Sequence, residues 1–232
     1  MAIIFDLAQE NSTNHFFLEG HGEISINDNK HLTIKTNHIR PNAKATTVWL
    51  KNIILPVSFT LDFSFRSNSE NSNTMVIFNA QPVGLNNLFD DPRMDARYCD
   101  LASHGKMQAY TVGFHRGVYG RLSVLRKIGG DVPTHWGDAE YPTPAWREMD
   151  AVTTMRNIKE PLSEADKGSL HHFKLIKKDN KITFSVNGQT IHDYADCMEY
   201  PYCVTALHGG YLAFRNFSGP AMDIYESIKI YT

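Results

Sequence analysis

The chain has 232 residues, of which 42% are hydrophobic and 11% aromatic, and its formal net charge is −2. This length and composition predict a single globular domain over residues 1–232 and exclude a disordered chain. The small net charge gives no basic field for a nucleic acid. No apolar run reaches the roughly 20 residues of a membrane span, so a membrane is not an expected partner either.

The cysteines and the N-terminal residues bear on the compartment. Cys99, Cys197 and Cys203 are too few for a disulfide framework and form no CxxC pair for zinc. The first residues have neither the basic region nor the long apolar region of a signal peptide. We expect a cytoplasmic protein, or a periplasmic one if a leader preceded this sequence.

The predicted elements, taken in chain order, are nearly all short β-strands separated by turns. They are His21–Ile26, His31–Thr36, Thr46–Leu50, Val57–Arg66, Met75–Gln81, Gln108–Arg116, Leu122–Lys127, His171–Lys177, Lys181–Asn187, Gly210–Arg215 and Met222–Ile230. Apolar and polar residues alternate most strictly in Val57–Arg66, as in a half-buried strand. Asn187-Gly188 predicts a hairpin turn, because both residues tolerate a positive φ. One helical turn is predicted at Ser163–Lys167. The series is typical of an antiparallel two-sheet jelly-roll sandwich.

Two irregular segments interrupt this series. The first runs from Pro82 to Lys106, and the second, from Ile128 to Leu170, is rich in Gly, Pro and aromatic residues. Long loops in compact domains are functional or disordered, and the two tryptophans of the second segment argue against disorder. The two segments are therefore predicted to wall a groove over one sheet.

Several sequence blocks together resemble the YesU-like family of jelly-roll proteins. The blocks are Leu88–Pro92, His104 with Ala109–Arg116, Leu125–Lys127, His172–Lys177, Phe184–Gly188 and Gly210–Arg215. The resemblance implies a galectin- or concanavalin-like fold and a place in the degradation of uronate polysaccharides. It further implies a dehydratase that removes water from the non-reducing-end uronic acid of ulvan-type oligosaccharides. The sequence departs from the family pattern in the longer segment around Pro133–Arg156, which bears on substrate preference.

Elimination of water from a uronate requires a group that neutralises the carboxylate, a base for the C5 proton and an acid for the C4 hydroxyl. The candidate catalytic residues are His115, Tyr110, His104 and Arg116. His115 shares the parity of Ala109 and Gly113, whose small size would leave room for a sugar; otherwise it tops an exposed strand. Tyr110 shares the parity of the core residue Val112, so it is either core or turned into the groove by the strand end.

Further side chains are predicted to contact the substrate. They are Tyr98, Arg97, Lys127, Arg126, His135, Trp136, Trp146 and Arg215. Adjacent strand residues face opposite ways, so only one of Arg126 and Lys127 faces a given groove, and we favour Lys127. The tryptophans either stack on sugar faces or hold the long loop against the sandwich.

No cofactor or metal is predicted. His171 and His172 are adjacent on a strand and so face opposite sides, which does not suit a shared metal ion. The expected partner is an acidic oligosaccharide, with or without sulfate groups, bound by a monomer or homodimer. A non-catalytic, lectin-like sandwich remains an alternative. A glycoside hydrolase is a weaker one, because the sequence lacks carboxylates paired at strand spacing.

Overall fold

A computed structural model describes residues 2–20, 22–36, 46–68, 73–82, 84–90, 107–115, 122–128, 168–196, 206–217 and 221–232. Within these ranges the chain forms fourteen strands. They are β1 (Ile3–Asp6), β2 (Phe16–Gly20), β3 (Gly22–Ile26), β4 (Leu32–Thr36), β5 (Thr46–Leu50), β6 (Phe59–Ser67), β7 (Asn73–Pro82), β8 (Met107–His115), β9 (Leu122–Ile128), β10 (His171–Lys178), β11 (Lys181–Val186), β12 (Gln189–Ala195), β13 (Tyr211–Phe217) and β14 (Ala221–Tyr231). Short 3₁₀ helices lie at Leu7–Gln9, Thr13–His15 and Leu88–Asp90. None of the helices in these ranges is long and apolar enough to cross a membrane.

The strands form two antiparallel sheets. The eight-stranded sheet has the order β12-β11-β10-β6-β14-β4-β3, with β1 paired to β14. The six-stranded sheet has the order β2-β5-β13-β7-β8-β9. This architecture confirms the predicted all-β jelly-roll sandwich.

The predicted strands are all present, with ends shifted by one or two residues at most. The predicted hairpin turn is also confirmed, since Asn187 and Gly188 have φ values of 49° and 82°. Strands β1, β2 and β12 were not predicted. The apolar runs that open β1 and β2 show no alternation, because residues on both faces of these strands contact the protein. The predicted helical turn at Ser163–Lys167 lies outside the described residues.

A hydrophobic core fills the space between the sheets. Phe63 of the eight-stranded sheet stacks on Phe173 at 4.9 Å between ring centroids, and it meets Phe214 of the other sheet edge-on at 5.5 Å. Burying each such ring contributes roughly 1.5–3 kcal/mol. Asp223 adds a polar link between the sheets, since its Oδ2 accepts hydrogen bonds from Thr74 and Asn216 at 2.9 Å.

The beginning of β13 is fixed by a close backbone approach. Gly210 pairs with Leu55 through two backbone hydrogen bonds of 2.7 and 3.2 Å. A Cβ atom at Gly210 would lie 2.5 Å from the carbonyl oxygen of Ala80, and its φ of 124° also disfavours any other residue. Opposite Gly210, β7 has an irregular register around Asn79, whose φ is 51°. This bulge and the glycine together set where β13 starts.

The two outer faces of the sandwich differ. The outer face of the eight-stranded sheet, here the charged face, carries ion pairs such as Lys174–Asp62, Lys229–Asp6 and Lys181–Asp193. The described side chains of the outer face of the six-stranded sheet, here the covered face, are mostly buried. Its side chains include Phe17, Glu19, Thr47, Trp49, Met75, Ile77, Ala109, Thr111, Ala213 and Arg215.

Candidate functional site

One end of the covered face is closed by the 3₁₀ helix Leu88–Asp90. Leu88 is buried in a second apolar cluster that also contains Trp49, Met75, Ile77 and Ala213. The ring of Phe89 lies 5.0 Å from Phe17, 6.1 Å from Trp49 and 5.0 Å from Tyr211, between centroids. This part of the first irregular segment therefore packs directly onto the sheet instead of walling an open groove.

A polar cluster lies next to these aromatic rings on the covered face. Cross-strand register aligns Glu19 of β2, Thr47 of β5 and Arg215 of β13 in one row. The indole N–H of Trp49 donates to Glu19 Oε2 at 2.8 Å, and Arg215 Nη1 donates to Thr47 Oγ1 at 2.9 Å. Arg215 Nη1 also lies 3.9 Å from Glu19 Oε1.

Both charged side chains of this cluster, Glu19 and Arg215, are 0% exposed. Removing two charges from water costs several kcal/mol per ion, which their mutual attraction repays only with good geometry and further hydrogen bonds. A separation of 3.9 Å is longer than a bidentate guanidinium–carboxylate contact. The cluster is thus a pair of buried charges that the hydrogen bonds to Trp49 and Thr47 help to hold on the covered face.

Sequence reasoning identified Arg215 but missed Glu19. Arg215 is on the outer face of its sheet, as a substrate-facing role requires, but its side chain is fully buried. Glu19 follows an apolar run that showed no strand pattern. The sequence signal for Glu19 is a single charged residue at the end of an apolar run, and such a residue is weak evidence for a site.

Strand β8 places its small residues on the covered face, as its parity predicted. Ala109 and Thr111 belong to this face, and Val112 belongs to the core. Both Ala109 and Thr111 are buried, however, so the room for a sugar expected above Ala109 is not open in this structure. Any binding surface must lie beyond these positions.

The backbone register locates His115 relative to Arg215. Gly113 lies opposite Met75, which in turn lies opposite Arg215, and position 115 is two residues further along β8. Strand spacing and rise give a separation of about 12 Å between the Cα atoms of residues 115 and 215. The backbone at position 115 therefore lies beyond the polar cluster, on the side away from the 3₁₀ helix.

The register also separates Arg126 from Lys127. Position 126 lies opposite Thr111 and so belongs to a row of the covered face, whereas position 127 lies opposite the core residue Tyr110. This backbone register does not by itself test the two side chains, so our preference for Lys127 stays a prediction.

Tyr110 is a core residue, and its assignment as catalytic is corrected. It is 1% exposed, stacks on Phe78 at 5.3 Å between centroids, and its ring lies 5.9 Å from Lys177 Nζ. Its hydroxyl donates to Asp196 Oδ2 and accepts from the Leu207 N–H at 3.0 Å. Burial and the hydrogen bond to Asp196 raise the pKa of Tyr110 far above its ordinary value. The phenol is therefore held as a structural hydrogen-bonding group.

The other predicted site residues lie outside the described residues. They are Arg97, Tyr98, His104, Arg116, His135, Trp136 and Trp146. Their roles stay predictions.

Comparison of sequences identified no relative, since no family model and no curated protein matches the chain. Comparison of structures did. A Bacillus subtilis protein of unknown function with a galectin-like fold has a TM-score of 0.69 and 20% identity, covering 100% of this chain and 96% of that one.

Two further structures share the architecture at lower identity. A carbohydrate-binding module of family CBM66 from Bacillus subtilis has a TM-score of 0.52 and 7% identity, covering 94% of this chain and 96% of the module. The kappa-carrageenase of Pseudoalteromonas carrageenovora, solved with a kappa-carrageenan oligosaccharide, has a TM-score of 0.59 and 8% identity, covering 97% and 91%. These similarities show that the chain has a galectin-like jelly-roll fold.

Proposed function

We propose that the protein is a member of the YesU-like family that binds an acidic oligosaccharide over the six-stranded sheet. We further propose that it eliminates water from the terminal uronic acid. The observation that carries this proposal is the buried Arg215–Glu19–Thr47–Trp49 cluster on the covered face. Carbohydrate chemistry on this fold is supported by the binding module and the carrageenase, although fold alone never fixes function.

The proposed reaction is a β-elimination at the non-reducing-end sugar. A base removes the proton from C5, the bond between C4 and its hydroxyl oxygen breaks, and a C4=C5 double bond forms. An acid delivers a proton to the departing hydroxyl, which leaves as water. Negative charge builds up on the uronate carboxylate during C5 deprotonation, so a fixed positive charge nearby lowers the barrier.

The residues divide by how they would act. His115, whose backbone lies near the cluster by register, is proposed as acid or base, and His104 as its counterpart. Arg116 and Arg126 are proposed to contact the carboxylate or a sulfate. Arg215 is buried, so we assign it an electrostatic role through the field it exerts across a medium of low dielectric constant.

Hydrolysis is a weaker proposal than elimination. Glycosidases place two carboxylates on either side of the scissile bond. Among the described side chains of the covered face, Glu19 supplies one carboxylate, and it is engaged by Trp49 and lies beside Arg215. A buried carboxylate in this setting is poorly placed to attack a sugar.

The test is incubation with uronate-terminated oligosaccharides while the ultraviolet absorbance of the conjugated C4=C5 product is followed. His115→Ala should reduce kcat by about 100-fold or more, as expected for loss of a general acid or base. The matched control is His172→Ala, which removes an exposed histidine from the charged face and should leave the rate unchanged.

Three outcomes separate the candidate functions. Unsaturated product that depends on His115 supports elimination. New reducing ends without a double bond would instead identify a hydrolase. Binding of acidic oligosaccharides without any product, in wild type and His115→Ala alike, would identify the lectin-like alternative, which the similarity to a carbohydrate-binding module favours.

A further inference from the structure

We propose that Asn187 is a deamidation site whose reaction is slowed by the folded protein. The proposal concerns a different part of the molecule from the proposed function. Asn187 and Gly188 form the exposed turn between β11 and β12, and both have a positive φ. Asparagine followed by glycine is prone to deamidation, because glycine has no side chain to shield its backbone nitrogen. The chain contains this residue pair once.

Deamidation proceeds in two steps and consumes only water. The backbone nitrogen of Gly188 attacks Cγ of Asn187, so a bond forms between these atoms and the bond from Cγ to Nδ2 breaks. Nδ2 leaves as ammonia with the proton of the Gly188 amide, and a five-membered succinimide ring remains. Water opens the ring at either carbonyl, which gives aspartate or isoaspartate at position 187.

Strand β10 holds the side-chain amide of Asn187 through two contacts, here the carboxamide contacts. Oδ1 accepts the backbone N–H of His172 at 2.9 Å, and Nδ2 lies 3.0 Å from His171 Nδ1. The backbone N–H of Asn187 also donates to the His172 carbonyl at 2.7 Å. The side chain of Asn187 therefore supplies the second hydrogen bond of a cross-strand pair at the point where the backbone of β11 turns away.

The carboxamide contacts fix which atoms donate and which accept. A backbone N–H only donates, so the atom of Asn187 that faces His172 is the oxygen, and Nδ2 faces His171. Nδ2 also only donates, so Nδ1 of His171 is the acceptor and carries no proton. His171 is thus the neutral tautomer with its proton on Nε2.

Deamidation requires the side-chain amide of Asn187 to leave both contacts. Cγ has to turn its face towards the nitrogen of Gly188 and become tetrahedral, while Nδ2 departs. A hydrogen bond of ordinary net strength corresponds to a factor of up to about ten in an equilibrium. The two carboxamide contacts should therefore make the reaction about tenfold to a hundredfold slower in the folded protein than in the unfolded chain.

The products would change both the charge and the geometry of the turn. Each adds one negative charge at position 187. Aspartate places an accepting oxygen where Nδ2 donates, so Nδ1 of His171 would have to take up a proton. Isoaspartate lengthens the backbone by one methylene in a two-residue turn, whose length sets the pairing of β11 with β12.

The first test compares wild-type protein with and without urea at one mildly alkaline pH. Peptide mass spectrometry follows the fraction of aspartate and isoaspartate at each position. Asn187 should react at least about tenfold faster in urea. Asn27 is the internal control, because its Oδ1 accepts the His31 N–H at 3.0 Å but the next residue is Asp28 instead of glycine. It should react slowly under both conditions.

The second test separates the contact at Nδ1 from the other properties of His171. His171→Phe keeps a ring but removes the acceptor, whereas His171→Asn loses the ring but keeps an oxygen close to the position of Nδ1. Both variants remove Nε2, so the difference between them isolates the contact with Asn187. Without urea, His171→Phe should deamidate up to about tenfold faster than wild type, and His171→Asn should stay within about twofold. In urea all three rates should be equal.

The proposal is overturned by equal rates for wild type with and without urea, or by equal rates for the two folded variants without urea. Circular dichroism establishes that the variants fold. A third measurement needs only the unmodified wild type, in which a long-range ¹H–¹⁵N NMR spectrum should show the His171 proton on Nε2. A proton on Nδ1 would contradict the donor assignment and with it the carboxamide contacts.

Discussion

The two outer faces of this sandwich use the same residue types in opposite surroundings. On the charged face, Lys174 and Asp62 lie 3.7 Å apart, with their side chains 50% and 39% exposed. On the covered face, Arg215 and Glu19 lie 3.9 Å apart and are both 0% exposed. The distances are similar, so the difference between the pairs is one of solvent. Water screens the attraction between Lys174 and Asp62, whereas it does not reach Arg215 and Glu19.

On the charged face, the cross-strand register places oppositely charged residues next to each other. Lys174 lies opposite Asp62, Asp62 opposite Lys229, and Lys229 opposite Asp6, so charges of alternating sign cross four strands. Each exposed cross-strand pair contributes roughly 0.2–1 kcal/mol. A row of this kind tolerates single losses. The buried pair should be less tolerant, because water does not replace the interaction that is lost when one of its charges is removed.

The largest expected effect comes from Glu19→Ala. This change removes a buried negative charge that lies 3.9 Å from Arg215 and leaves the Trp49 indole N–H without its acceptor, so unfolding should require about 3–5 kcal/mol less free energy. The comparison is Glu23→Ala, which removes a 66% exposed partner of Lys35 and should cost less than about 1 kcal/mol. Urea denaturation measures both values. Equal costs would mean that burial does not distinguish the two faces.

An intermediate effect is expected from Thr47→Val. The substitution nearly preserves shape but removes the oxygen that accepts from Arg215 Nη1, so stability should fall by about 1.5–3 kcal/mol. Its counterpart on the charged face is Thr183→Val, which removes a 3.1 Å hydrogen bond to the exposed Asp193 and should cost about 0.5 kcal/mol or less. Thermal melts of the two variants test this difference. Similar melting temperatures would contradict it.

The smallest effect concerns protonation on the charged face. Hydrogen bonds from Lys181 and Thr183 lower the pKa of Asp193. The ionised form is therefore favoured in the folded protein, and the small stabilisation is present at neutral pH and lost as pH falls through the lowered pKa. An NMR titration should show the pKa of Asp193 moving back towards about 3.9 in Lys181→Ala. An unchanged pKa in this variant would show that Lys181 does not lower the pKa of Asp193.

The sequence pattern predicted strands wherever one face of a strand is polar. Val57–Arg66 alternates because its outward residues belong to the charged face, and β6 was found there. Strand β2 was missed because Phe16 contacts the interior core while Phe17 packs onto the covered face, which removes the alternation. Because β2 is buried on both faces, the sequence pattern predicted neither the strand nor a role for Glu19.

The site was less predictable than the fold because it depends on pairing between distant strands. Parity correctly suggested that Tyr110 shares the core side of Val112. No local pattern could choose between Arg126 and Lys127, since their faces follow from the register of β9 on β8. Likewise, the proximity of Arg215 to Glu19 follows from the strand order β2-β5-β13.

The close approach at Gly210 has a consequence for folding as well as for shape. In a β-sheet, a slip of one residue turns every side chain to the other face. A slipped β13 would bring the Arg215 guanidinium into the aromatic core beside Phe63 and would expel Phe214, a doubly unfavourable exchange. The bulge at Asn79 and the pairing of Gly210 with Leu55 oppose that slip at the start of the strand. The charge of Arg215 therefore also disfavours a slipped register of β13, in which this side chain would be buried in the core.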